Sequence, residues 1–369
     1  EPYRRQRQMC IRDSIETDWV EQCKAVVHGY LGGQAGASAM LEVLTGWQNP
    51  CGKLAETIPL RYEDTPAARY FPGRKQNAEY REGLYVGYRY YETANKAVRY
   101  PFGYGLSYTT FAYSDLKVNA DKVTFTLTNT GSVAGAEIAQ LYVAKPDAAV
   151  FRPAKELKGF TKVFLKAGES KTITIPLDDK TFRYWNVATD SWEVEGGSYQ
   201  LLVGANVQDI RLTAEITLPG TGAPDPYAGK DLAHYRTAHV QEVPDAEFEA
   251  LLGRPLPEET TAIDRTMTLG ELHHSRSPLC WLIAGVLTLL LRSGEKNGKP
   301  NLNILFQYNM PLRGLAQMTG GIIGEETVDG LVMEAKGFWV IGILRALVGL
   351  LQNYVANSRY QAKLDEQSR

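Results

Sequence analysis

The sequence predicts a mixed fold in three parts: a partial α/β sandwich, then an all-β sandwich, then a small α-helical appendage. Three observations predict it. A short apolar run at 25–30 (AVVHGY) turns through glycines into small residues and helix formers. From 115 to 219 apolar and polar residues alternate with period two, as half-buried strands require. Beyond 220 the alternation stops, and two apolar blocks at 279–291 and 338–351 read as helices.

Composition sets the outer bounds. The chain has 369 residues, with 40 Lys+Arg against 42 Asp+Glu. That balance excludes a general polyanion binder, so no nucleic-acid partner is expected. Four cysteines, at 10, 23, 51 and 280, form no C-x-x-C pair and show no zinc spacing. They are expected as buried small hydrophobes, with no disulfide framework and no metal. Residues 1–14 (EPYRRQRQMCIRDS) carry several arginines with no apolar run behind them. They cannot be a secretory signal and read as an irregular tail or an artefact rather than a basic arm. The chain is expected to be truncated, which leaves its compartment open.

The first element is a βα step. A strand is expected at 25–30, a tight turn at Leu31-Gly32-Gly33-Gln34-Ala35-Gly36, and a helix as far as Leu44, with Gly46 as the C-cap that wants positive φ. The G-x-G-x-x-G and Walker spacings are both absent, so the glycines read as a packing turn and not a phosphate cradle. His28, at the carboxyl end of the expected strand, could face a ligand cleft; a structural histidine explains it equally well. Thr57-Ile58-Pro59 is a further extended piece.

Tyrosine dominates the next connection. Tyr85, Tyr88, Arg89, Tyr90, Tyr91 and Glu92 fall within one short stretch. Tyrosine combines a flat apolar face with a hydroxyl, which suits stacking on sugar rings, and Tyr88, Arg89 and Tyr90 are the candidate substrate-binding residues. The competing reading, weighted higher, has the rings packing a long loop between domains. Glu79, Glu82 and Glu92 are considered as a paired-carboxylate site, but spacing alone cannot show two acids flanking one bond. Solvated or arginine-paired carboxylates are the favoured reading.

Within 115–219, Val123, Phe125 and Leu127 alternate with threonines before Asn129-Thr130-Gly131 turns the chain. Further strands are expected at 138–143, 157–165, 172–175, 192–194, 199–204 and 210–216. About seven short strands in about a hundred residues, without a cysteine pair, point to a fibronectin-III-like sandwich.

Gly33-Gln34-Ala35-Gly36, Asn49-Pro50-Cys51-Gly52-Lys53-Leu54, Glu82-Gly83-Leu84-Tyr85-Val86-Gly87-Tyr88-Arg89-Tyr90-Tyr91 and Tyr100-Pro101-Phe102-Gly103-Tyr104-Gly105-Leu106-Ser107-Tyr108 together resemble glycoside hydrolase family 3. They match the end of its α/β-sandwich domain and the link into its fibronectin-III-like domain, over roughly 15–219. Cys51 departs from the serine more usual there. The resemblance implies a parent of β-glucosidase or β-xylosidase type that acts on a β-linked glucoside or xyloside with retention and no cofactor. It also implies that the nucleophilic aspartate lies on an N-terminal (β/α)8 barrel, and the acid/base glutamate upstream of the Gly33-Gln34-Ala35-Gly36 motif. No residue here inherits a catalytic role, and the missing barrel is the implied partner. The chain is expected to be structural and inactive alone. The rival is a stand-alone carbohydrate-binding or cell-surface module that uses the tyrosine cluster.

The expected divisions are thus a tail at 1–14, the end of the α/β domain with its connection at 15–114, the sandwich at 115–219, and a linker with helical extension at 220–369. A short helix with an acidic start and a glycine stop is expected at 244–253. The apolar blocks at 279–291 and 338–351 fall short of the roughly twenty residues that span a bilayer. Their helices are expected to bury against each other or the sandwich, ahead of interfacial membrane contact. His273-His274 lacks further nearby ligands.

Overall fold

The computed structural model describes residues 17–367 except 18, 31, 72–76, 258–261, 300 and 320. The tail expected at 1–14 lies outside the described residues. The chain divides into two compact units, the first running to Leu256 and the second from Pro257.

The first unit opens on α1 (Gly36–Thr45). Gly46 ends it at φ +80°, donating its N–H to the Val43 carbonyl, as a glycine stop should. The run at 25–30, expected as a strand, is not one: it pairs with no strand among the described residues. A strand exists only through a neighbour's ladder, and none of those lies beside it. The apolar side chains of this region stay open to solvent, with Leu41 and Leu44 exposed and Trp47 84% exposed. The extended piece at Thr57-Ile58-Pro59 does form a strand, β1 (Ile58–Pro59), antiparallel to β2 (Val98–Tyr100).

The sandwich follows. One sheet is β3 (Phe111–Val118), β4 (Lys122–Asn129) and β7 (Ser170–Pro176), in the order β3-β4-β7. The other contains β5 (Gly135–Ala144), β6 (Glu156–Leu165), β10 (Gly197–Gly204) and β11 (Ile210–Leu218), in the order β11-β10-β5-β6. Every pairing is antiparallel. Alternation puts Val123, Phe125 and Leu127 of β4 inward, against Leu141 and Val143 of β5 and Leu201 and Val203 of β10. Buried Asn129 pins the corner after β4: its Nδ2 donates to the carbonyls of Val133 and Leu165, and its Oδ1 accepts from the Gly131 N–H. β3 begins at Phe111, ahead of the boundary expected at 115, and a separate hairpin of β8 (Arg183–Asn186) and β9 (Ser191–Val194) adds a strand that the periodicity did not single out.

The compact unit continues past the sandwich through residues 220–256. One helical turn at Ala233–Arg236 precedes α3 (Asp245–Leu252), which Gly253 stops at φ +74°. Leu232, Tyr235, Ala238, Val240, Val243 and Phe248 from this return form a second core with Tyr85, Tyr90, Tyr91 and Phe151.

The second unit is helical: α4 (Pro278–Lys296), α5 (Leu302–Tyr308), α6 (Leu312–Met318), α7 (Glu325–Ala335) and α8 (Trp339–Gln367). Its core gathers Met267, Leu272, Cys280, Ala284, Leu312, Val328, Val332 and Ala335. α7 and α8 pack backbone to backbone. A Cβ on Gly330 would lie 2.4 Å from the Ala346 nitrogen, and one on Gly342 2.5 Å from that of Glu334.

Two expectations for these helices are corrected. Charged and polar residues extend them beyond the apolar blocks, to 19 residues in α4 and 29 in α8, and both are long and apolar enough to cross a membrane. Nor do they bury their apolar faces. Only Cys280, Ala284 and Leu287 of α4 are buried, and most large apolar side chains of α8 are exposed. Of the described cysteines, Cys280 is buried as expected, Cys51 is partly buried and Cys23 is exposed.

Candidate functional site

The tyrosine-rich connection is organised by α2 (Tyr88–Thr93), a helix of under two turns that starts at Gly87, which sits at φ +54°. Its side chains part in two directions. Tyr88 is half-buried against Phe102, with ring centroids 4.6 Å apart, and the edge of Tyr142. Its hydroxyl accepts the Leu157 N–H at 2.8 Å, at the start of β6. Arg89 reaches Glu156 at 3.6 Å. Tyr90 goes the other way, 1% exposed, into the second core beside Tyr91. Burial pushes the Tyr90 phenol up to about 12. Of the three candidate sugar contacts, two therefore face the sandwich edge and one is enclosed.

The carboxylates are dispersed among separate partners. Glu79 pairs with Arg81 at 2.6 Å. Glu92 pairs with Lys155 at 3.0 Å and accepts from Gln208 Nε2 at 2.8 Å. Glu82 is buried, and its Oε2 has no hydrogen-bond partner. Retaining hydrolysis needs two carboxyl groups about 5 Å apart across one bond. Two of these three instead serve as counter-ions.

Arg81 is the centre of the connection, and sequence reasoning missed it. It is 2% exposed. Its guanidinium donates to Glu79, to the Val243 carbonyl at 2.8 Å and to Asp245, and lies 5.1 Å from the rings of both Tyr70 and Phe248. Tyr85 adds a second link, donating its hydroxyl to the Tyr235 carbonyl. Within the returning segment itself, Glu247 accepts the backbone N–H of His234 at 2.8 Å and meets the His234 ring's Nδ1 at 2.6 Å. No local pattern marks Arg81 as a clamp, because Val243 and Asp245 lie more than 160 residues downstream.

His28 makes an edge contact with Tyr30, ring centroids 4.1 Å apart. The rings of His273 and His274 lie 3.8 Å apart, with His273 Nδ1 hydrogen-bonded to the Gly270 carbonyl. Among the described residues no group of three or more His, Cys, Asp or Glu could hold a metal ion. A depression on the sandwich is lined by Lys145, Arg152, Glu156, Lys158, Phe182 and Tyr199. Its cations are matched by carboxylates: Lys145 with Asp147, Arg152 with Glu195 and Lys158 with Glu156. What the connection can do is mechanical: it fastens the chain before the sandwich to the chain after it.

Comparison with known proteins accounts for this arrangement. Residues 9–108 match the glycosyl hydrolase family 3 C-terminal domain, and residues 137–207 a fibronectin type III-like domain. The thermostable β-glucosidase B of Acetivibrio thermocellus is 41% identical over 326 residues, covering 86% of this chain and 39% of that enzyme. An exo-α-(1→6)-L-arabinopyranosidase of Bifidobacterium breve is 46% identical over 213 residues, covering 56% of this chain and 28% of the enzyme. Among solved structures, the family 3 β-glucosidase of Bifidobacterium adolescentis aligns with a TM-score of 0.54 and 40% identity, over 72% of this chain and 34% of that one. The chain thus spans well under half the length of these relatives. Its motifs, its folded elements and these likenesses agree: the chain belongs to glycoside hydrolase family 3 and matches the C-terminal portion of its relatives, the end of the α/β-sandwich domain followed by a fibronectin type III-like domain.

Proposed function

We propose that this chain is the structural portion of a retaining β-glycosidase of β-glucosidase or β-xylosidase type, and that it carries neither catalytic carboxylate. It completes the α/β domain and buttresses a (β/α)8 barrel that supplies the nucleophile. The carrying observation is the fate of the candidate acids: Glu79 is held by Arg81 and Glu92 by Lys155, in separate networks. The exposed apolar side chains of α1 and Trp47 support the buttressing role, since a solvent-facing apolar patch asks for a partner surface.

Release of p-nitrophenol from aryl β-glucosides and β-xylosides tests the reading. The chain alone should release none. Turnover that is lost on Glu79→Gln, Glu82→Gln or Glu92→Gln would overturn it. The rival, a carbohydrate-binding module, is separated by titration with oligosaccharides. Saturable binding abolished by Tyr88→Ala would favour that module, and no binding is expected here.

A further inference from the structure

The helical unit presents an apolar surface that the chain leaves uncovered. On α8, Val340, Leu344, Leu347, Leu351 and Tyr354 recur every three or four residues, and each is more than half exposed. The opposite face cannot trade places with this stripe, because Gly342 and Gly349 hold it backbone to backbone against α7. On α4 the same division recurs. Cys280, Ala284 and Leu287 point into the unit's core, while Leu282, Val286 and Leu289 point out.

The two stripes begin at one level. The Trp339 indole N–H donates to the carbonyl of Arg276, the residue before the Ser277 cap of α4, and the Trp281 indole donates to the Ser275 carbonyl. Both indoles are about half exposed. They sit at the same end of two apolar helices with one side bonded and the other open, the amphipathic placement that indoles take at a membrane surface. The far end of α4 is basic, with Arg292, Lys296 and Lys299 against Glu295, while on α8 Arg359 and Lys363 are balanced by Asp365 and Glu366.

We propose that the helical unit is an interfacial membrane anchor, seating the outward faces of α4 and α8 in the apolar layer just beneath the headgroups of an anionic bilayer. It lies on the membrane and does not cross it. Both helices have the length of a span, but one side of each is packed on the unit's own core or on α7. Beside α8, Arg345 pairs with Glu326 and Asp329, and Arg265 pairs with Asp329 and Glu325. That network is part-exposed and must stay in water, so α7 holds one side of α8 outside the hydrocarbon. A second copy of the chain fits the surface less well. The basic end of α4 would meet another basic end or the charge-balanced end of α8, whereas an anionic headgroup layer complements it.

Co-sedimentation of the full chain with phosphatidylcholine vesicles, with and without one quarter phosphatidylglycerol, tests this. Binding is expected to the anionic vesicles and to weaken with salt. Leu344→Glu combined with Leu351→Glu should cut partitioning roughly tenfold or more, since burying a leucine is replaced by burying a charge. Both positions are exposed, so circular dichroism should be unchanged. If it is not, Leu282→Glu combined with Val286→Glu on α4 gives the same reading from the other helix. Wild-type protein that stays in the supernatant with both vesicle types overturns the proposal. So does partitioning that both glutamate pairs leave intact, or a dimer that these substitutions dissociate while no lipid is bound.

Discussion

Replacing Arg81 with methionine, which keeps the volume of the side chain but removes its charge, should destabilise the first unit severely. The stem continues to pack against Tyr70 and Phe248, so little transfer free energy is lost. The cost comes from what the guanidinium leaves behind. The side chain of Glu79 is 13% exposed and loses its counter-ion. Breaking a buried pair by removing one partner costs about 3–5 kcal/mol. The Val243 carbonyl also loses its donor at Arg81, and orphaning such a group costs about 1–3 kcal/mol where water cannot replace the bond. Asp245 is well exposed and adds at most about 1 kcal/mol. These terms overlap, and a loss of about 4 kcal/mol is expected, or roughly 10 °C in Tm for a unit of this size. Urea unfolding followed by tryptophan fluorescence measures it. The decisive variant is Arg81→Met combined with Glu79→Gln. If the uncompensated carboxylate carries the penalty, the double variant recovers about half of the loss. A single variant that costs under about 1 kcal/mol, or a double variant less stable than the single one, would refute the clamp.

Four further expectations follow from the same contacts. Tyr88→Phe removes the acceptor of the Leu157 N–H and should cost about 1 kcal/mol of stability in urea titrations, leaving the response to added glycosides unchanged. Burial raises the phenols of Tyr85, Tyr90, Tyr91, Tyr142 and Tyr235, that of Tyr90 to about 12. Below pH about 10 both folded and unfolded chains keep these protons, so the stability is fully present; above it only the unfolded chain ionises. Stability should therefore fall as pH rises from about 10 through 12, with the tyrosinate absorbance of these five buried phenols appearing together with unfolding. Gly342→Ala places a methyl group against the α7 backbone and should cost the helical unit about 2 kcal/mol, read as a lower melting temperature by circular dichroism. In hydrogen exchange, residues 19–48 should exchange far faster than β4, β5 and β10, because their apolar side chains are exposed while those strands surround a closed core. Equal protection would contradict this.

What was legible in the sequence was whatever repeats or punctuates locally. Period-two alternation announced β4 through β11, apart from the short strand β8, and Gly46 and Gly253 marked the ends of α1 and α3 because an L side chain resists their backbone conformation. Ordered motifs around Tyr85–Tyr91 and Tyr100–Tyr108 carried the family resemblance. Periodicity states which residues share a face, and only tertiary structure decides what that face meets. The run at 25–30 has the composition of a strand, yet pairing requires a neighbour that no local pattern supplies. Tyr90 reads as a sugar platform until residues 232–248 close over it, and Arg81 is unremarkable until Val243 and Asp245 arrive from far along the chain. The apolar blocks of α4 and α8 look the same in sequence whether buried or bare. Their outward faces are bare because α7 and the unit's small core take one side of each helix, leaving the other to whatever surface lies beyond the chain.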